Sequence, residues 1–398
     1  MLGRTRWIFY IVLFCTLFVT STGVSIQYAS QFVKLLYAGG LWMSLLLIPT
    51  QLYKNHHFDG ATIKLFVIYA LLVAGTIVHS IVSGQEAFVG NKWVTVFGNE
   101  EVLLMLMTPF LAFIVSDSNV LQNVKRANIL FMICCLLCFL VFNSGNSSSL
   151  WYICCFAPFY KKKGKVLIFL IFLISIYVGF YAEETSRTMI VVSLLALLAY
   201  VLPFVLKNKR LIRIVCISLL VLPILYVLPI LINPDESIMT ILKEIVMDQS
   251  GNEQLATDTR TFLFEEMSSD LTANDAWLFG KGVYSFYYSR WFDLGGVSGG
   301  HRLTSEVTLL LLLLRGGILL ALSYYSILYY AVYKALKNGK NMFVLSAAIM
   351  ISGWIFISSF SYVNGFKFHH LCFFILVGCC LSSKCLSLND KEINKLLE

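Results

Sequence analysis

Apolar runs of about bilayer length recur along the chain, separated by short polar clusters. The first extends from Trp7 to Val24 behind Arg4 and Arg6, and others follow at 32–53, 63–84, 101–116, 128–143, 149–160, 166–182, 188–206, 211–232, 317–335, 342–360 and 368–383. About 20 mainly apolar residues carry a helix across the hydrocarbon core, so the pattern predicts an all-α polytopic membrane protein with about 12 transmembrane helices. The runs at 128–143 and 149–160 are the shortest pair of the set. Thr20-Ser21-Thr22-Gly23 makes a poor leader-peptide cleavage site, so the first run reads as a retained helix.

One stretch breaks the pattern. Residues 233–302 open on Asn233-Pro234-Asp235-Glu236, close on Gly299-Gly300-His301-Arg302, and hold half of the 22 acidic residues. The chain therefore divides into spans at 1–232, a large polar loop at 233–302, an outer helix with the last spans at 303–385, and a short amphipathic or frayed tail at 386–398.

Composition agrees with this division. The 398 residues are 58% hydrophobic and 13% charged, about half the charge of a soluble domain, which excludes a water-soluble fold. The net charge of +8 comes from basic residues scattered in clusters between apolar runs, which points to membrane topology and away from nucleic acid. With the N-terminus inside, twenty of the 30 Lys and Arg fall on inside segments, among them Lys161, Lys162, Lys163, Lys165, Lys207, Lys209, Arg210 and Arg213. That bias predicts cytoplasmic termini and puts the 233–302 loop on the periplasmic or outer face. The eleven Cys fall in or beside apolar segments, and Cys135-x-x-Cys138 reads as small packing residues in a lipid-compatible helix.

Three basic residues near the outer surface carry the candidate chemistry. Arg187 follows Glu183 and Glu184 where one run ends and the next begins. It is either an interfacial anchor for those carboxylates or an anion contact at a helix start. Arg260 falls on one helical stripe with Leu263, Phe264, Met267 and Leu271, while Glu265, Glu266 and Asp270 lie elsewhere. An arginine on an apolar face needs an anionic partner, which is a structural carboxylate or a bound phosphate. His301 lies between a Gly-rich approach and a leucine-rich helix from Val307. It is a solvated loop residue or a base lining a cavity. His79 is ionisable within a span, near its outer end. Arg315 before Gly316-Gly317 predicts a break between an outer helix and the next span, and Gly280-Lys281-Gly282 lacks phosphate-loop spacing. The chain has no Asp-x-Asp of the kind that holds a metal and a nucleotide sugar.

The order of Ser186-Arg187-Thr188, Arg260, Trp277-Leu278-Phe279-Gly280-Lys281-Gly282, His301 and Arg315-Gly316-Gly317 resembles the bacterial O-antigen polymerase and O-antigen ligase superfamily. The likeness covers the whole architecture, with its residue content confined to 183–187 and 257–317. The ligases commonly follow this His with Asn, whereas Arg302 stands here, which favours the polymerase side. The resemblance implies a GT-C-like glycosyltransferase of the bacterial inner membrane that uses glycans on undecaprenyl diphosphate as donor and acceptor, with no metal or cofactor. A chain-length-regulating co-polymerase is a further implied partner. Within it, Arg187 and Arg260 would grip the diphosphate, His301 would serve as base, and Glu306 would be a second base or an orienting partner. Arg290, Lys281 and Arg302 would contact sugar or phosphate, and Trp277, Tyr284, Tyr287, Tyr288 and Trp291 would offer stacking faces. A ligase using the same donor and a transporter of lipid-linked sugars are the alternatives. Sparse charge in the middle of the spans stands against transport.

Overall fold

Helices account for most of the computed structural model, which describes residues 39, 42, 57–83, 102–116, 121–122, 187–232, 261–290, 300–361 and 368–397. In chain order these are α1 (Gly60–Val82), α2 (Leu103–Met107, continuing as a 3₁₀ stretch Thr108–Ser116), α3 (Arg187–Tyr200, continuing as a π turn Val201–Leu206), α4 (Lys209–Ile232) and α5 (Thr261–Ala273). A two-stranded hairpin follows, β1 (Tyr287–Tyr288) and β2 (His301–Arg302), then α6 (Thr308–Asn338), α7 (Met342–Ser358), α8 (Phe368–Leu381), α9 (Ser383–Ser387) and α10 (Asp390–Leu397).

Among the described residues, α1, α4 and α6 are long and apolar enough to cross a membrane. The predicted runs at 63–84, 188–206, 211–232, 342–360 and 368–383 return as α1, α3, α4, α7 and α8, and the run at 317–335 is the second part of α6. The runs at 7–24, 128–143, 149–160 and 166–182 lie outside the described residues, as does most of 32–53.

α7 is the centre of the bundle. It is apolar on every side, and fifteen residues from Phe343 to Ser358 are buried, so it has no face for lipid or water. α3, α4, α6 and α8 pack around it. Trp354 of α7 stacks on Phe373 of α8 at 3.9 Å, which ties those two helices face to face.

Two irregular turns have the same cause. Pro203 has no N–H to give the Ala199 carbonyl four residues back, and the chain widens there into a π turn. Ser346 of α7 donates its hydroxyl to that carbonyl at 2.6 Å, so the lost helical bond becomes a tie between α3 and α7. Pro109 likewise leaves the Met105 carbonyl short of its usual donor. The Thr108 hydroxyl bonds it at 2.7 Å where α2 tightens into 3₁₀.

The two ends of the bundle differ in charge. Asp59, the N-cap of α1, accepts from Tyr330 at 2.8 Å and pairs with Lys334 at 3.1 Å, both from the last turns of α6. Burial pushes its carboxyl upward, but hydrogen bonds from Thr62, Tyr330 and Lys334 outweigh this and hold its pKa down at about 2. Arg213, near the start of α4, reaches the Leu336 carbonyl. The starts of α1 and α4 therefore meet the end of α6, gathering Lys64, Lys209, Arg210, Arg213, Lys337 and Lys340 at one end. At the other end of α1 the Ser80 hydroxyl accepts from the Val283 amide, placing that part of the polar segment there. The tail is a short amphipathic helix, α10, with Ile393 buried. It is capped by Asn389, which accepts from Glu392 N at 2.9 Å while Glu392 Oε2 accepts from Asn389 N at 2.8 Å.

Candidate functional site at the polar end of the bundle

α5 lays its apolar stripe on the bundle. Leu263, Phe264, Met267 and Leu271 are all buried, as the helical spacing predicts, and Phe264 meets the edge of Tyr226 on α4 at 6.5 Å. The helix begins at Thr261, so Arg260 lies just outside the described residues.

The chain then threads through a break in α6. Gly316 and Gly317 leave helical geometry, with Gly317 at φ 66° and ψ −165°, a combination reserved for glycine. Segment 277–282 lies in this break and supplies the backbone partners that the interrupted helix lacks. Lys281 N donates to Leu314 O at 2.7 Å and Gly282 N to Arg315 O at 3.0 Å, while Ile318 N donates to Trp277 O at 2.8 Å. Gly280, at φ 66°, fits so closely that a Cβ there would stand 2.6 Å from the backbone of residues 315–317. The predicted break after Arg315 is thus present, and the Trp277–Gly282 motif is its other half.

Arg315 itself is completely buried at the break. Its guanidinium donates to Ser285 O at 3.0 Å and Leu303 O at 2.6 Å, one on either side of the hairpin. A buried charge held by carbonyls fixes the segments that flank β1 and β2 relative to α6. The strands pair antiparallel, Tyr287 opposite Arg302 and Tyr288 opposite His301.

This hairpin brings together four of the residues expected from the sequence. His301 is exposed, with its ring 5.7 Å from Tyr288 in an edge-on contact. Arg302 pairs with Glu306 at 3.5 Å, so Glu306 sits where it orients a guanidinium. Two further residues join the group, Tyr287 of β1 and Glu266 of α5. Burial pushes the Tyr287 phenol up to about 12; the Arg302 charge pulls it the other way, and Glu266 and Glu306 add to the rise. Tyr287 is therefore a neutral hydroxyl at physiological pH, set between one guanidinium and two carboxylates. Glu266 follows Leu263 of the buried stripe by three residues, a helical spacing that could have marked it, although the sequence pattern alone puts it on the polar side. Tyr287 reads from sequence as one stacking aromatic among several, with nothing to mark its hydroxyl.

The other expected residues fall elsewhere. Lys281 spends its three donors inside the fold, on both Asp270 oxygens at 2.9 and 3.1 Å and on Phe286 O at 2.7 Å. Trp277 is half-buried and donates to the Thr272 hydroxyl at 2.9 Å, stapling the end of α5 to the broken helix. Arg290 is exposed just past β1, and His79 is exposed at the same end of α1. Arg187 is the first residue of α3, and Trp291 lies outside the described residues. Chemically, the hairpin offers an accessible imidazole beside an aromatic edge and a guanidinium paired with one carboxylate. No family model, curated protein or solved structure matches the chain.

Proposed function

We propose that this membrane protein is a polymerase of lipid-linked oligosaccharide repeat units, working at the outer face of a bacterial cytoplasmic membrane. The observation that carries the reading is the hairpin that sets His301 beside Arg302, Glu306 and Tyr288 at the polar end of an apolar bundle. The resemblance to the O-antigen polymerase superfamily supplies the reaction. The collection of basic residues at the opposite end supports an orientation with that end in the cytoplasm and both termini inside.

In this reading the donor is a glycan on undecaprenyl diphosphate and the acceptor is a hydroxyl of a new lipid-linked repeat. The acceptor oxygen attacks the anomeric carbon, the bond to the diphosphate oxygen breaks, and the diphosphate leaves with the electron pair. His301, an accessible imidazole, takes the hydroxyl proton. Arg302, aligned by Glu306, steadies phosphate or sugar oxygens, with Arg187 and Arg260 as the further grips on the diphosphate. Tyr288 and, just past β1, Arg290 border the sugar path. Lys281 and Trp277 act by holding the platform on which the hairpin sits.

The test is complementation of a strain lacking the gene with His301→Gln, Arg302→Ala, Arg187→Ala and Arg260→Ala chains of equal membrane abundance. The reading expects surface glycan to stop at one repeat. Full-length polymer from the His301 and Arg302 variants overturns it.

A further inference from the structure

At the end of the bundle remote from the hairpin, α1, α4 and α6 enclose a groove of about 760 Å³. This lies within the size range of ligand pockets, roughly 300–1,000 Å³. Its floor is aliphatic, with Leu65 of α1, Ile217 and Leu220 of α4, and Val332 and Leu336 of α6. Two cations stand at its mouth, Arg213 from α4 and Lys337 from α6. Among the described residues neither meets a carboxylate within 4 Å; the ion pairs lie elsewhere, at Lys281, Arg302 and Lys334. Arg213 makes a long 3.5 Å contact to Leu336 O, and Lys337 bonds the Tyr333 hydroxyl at 2.9 Å. The ridges beside the groove are exposed aliphatics, Ile63 and Val67 on one side and Ile214 and Val221 on the other. All three helices are long and apolar enough to span a bilayer, so these ridges face acyl chains.

We propose that this groove is a binding site for an anionic phospholipid of the bilayer, its acyl chain on the aliphatic floor and its phosphate between Arg213 and Lys337. Apolar walls with two cations at the rim match a lipid tail under a negative headgroup, and an ammonium beside a tyrosine ring at 5.2 Å marks the interfacial level. A bilayer phospholipid fits better than a lipid-linked diphosphate acted on at the hairpin. The 23 residues of α1 separate the two ends by about 35 Å at 1.5 Å per residue, so headgroups bound at them belong to opposite leaflets. The site itself rests on the membrane assignment, while the choice of phospholipid over lipid-linked diphosphate rests on the polymerase reading of the hairpin.

The experiment uses the full chain in detergent, titrated with dioleoyl phosphatidylglycerol, dioleoyl phosphatidylcholine or undecaprenyl phosphate and read by native mass spectrometry and thermal midpoint. The proposal expects saturable retention of phosphatidylglycerol with a raised midpoint, and little response to the zwitterionic lipid. The double variant Arg213→Gln, Lys337→Gln should bind roughly twenty-five-fold more weakly, a factor of about five for each cation. Ser326→Trp, which fills the groove and keeps both charges, should abolish retention as well; Ser326 lines the groove and is exposed, so the change spares the core. Equal binding of phosphatidylcholine, preference for undecaprenyl phosphate, or undiminished binding by both variants overturns the proposal.

Discussion

Gly280→Ala is the sharpest probe of how the polar segment is locked to the bundle. An added Cβ would sit 2.6 Å from Arg315 C, Gly316 N and Gly317 N, all backbone atoms that no rotamer change can move. Alanine at φ 66° costs about 1–2 kcal/mol in backbone strain. Overpacking against a fixed neighbour adds about 1–3 kcal/mol. The sum is about 2–5 kcal/mol before any loss of the Lys281–Leu314 and Gly282–Arg315 backbone bonds that the insertion would stretch. Gly75→Ala is the matched control, a mid-helix glycine of α1 with nothing within 4 Å of the new methyl group. It should gain up to about 1 kcal/mol from helix propensity. The assay is the temperature at which half of the detergent-solubilised protein is lost from its size-exclusion peak. A Gly280→Ala midpoint well below wild type, with Gly75→Ala at or above it, is the expected result. If Gly280→Ala melts with wild type, the interlock contributes nothing and the reasoning fails.

Arg315→Met removes the donor from the Ser285 and Leu303 carbonyls, at a cost of about 1–3 kcal/mol for each acceptor left buried and unbonded, which the same melting assay reads. Ser346→Ala should lower the midpoint more modestly, because the Ala199 carbonyl above Pro203 loses its 2.6 Å donor. Asp59 gives a pH signature. Its carboxyl ionises near 2 in the fold against an ordinary 3.8, so its contribution is complete above about pH 4 and disappears as the pH falls toward 2. Asp59→Asn should flatten that part of a stability-versus-pH curve, and an unchanged curve would count against the Tyr330 and Lys334 contacts.

Much of the architecture could be read from the chain because bilayer length and the glycine break are local signals. The ends of α1, α4 and α7 fall within three residues of the predicted runs, and Arg315-Gly316-Gly317 announced its own interruption. The stripe of Leu263, Phe264, Met267 and Leu271 was legible for the same reason, a period of 3.6 on a short helix. What the sequence hid was long-range. Ser80 bonding Val283, or segment 277–282 filling a break more than thirty residues later, has no periodicity to reveal it. Lys281 read as an open cation because Asp270, its partner eleven residues back, was spent on a helix face in the sequence pattern. Glu266 was set aside as a polar face residue, although the fold brings it to Tyr287. The centrality of α7 was also invisible, since a helix apolar on all sides looks from sequence like one facing lipid.

The central claim is polymerisation of lipid-linked repeats, and surface glycans from a strain lacking the gene test it most directly on a gel beside a complemented strain. Loss of the ladder, with a single repeat still attached to its acceptor, is the expected result. Attached glycan missing altogether, with long chains left on undecaprenyl diphosphate, would contradict it in favour of ligation. Single lipid-linked repeats accumulating on the cytoplasmic face would contradict it in favour of transport.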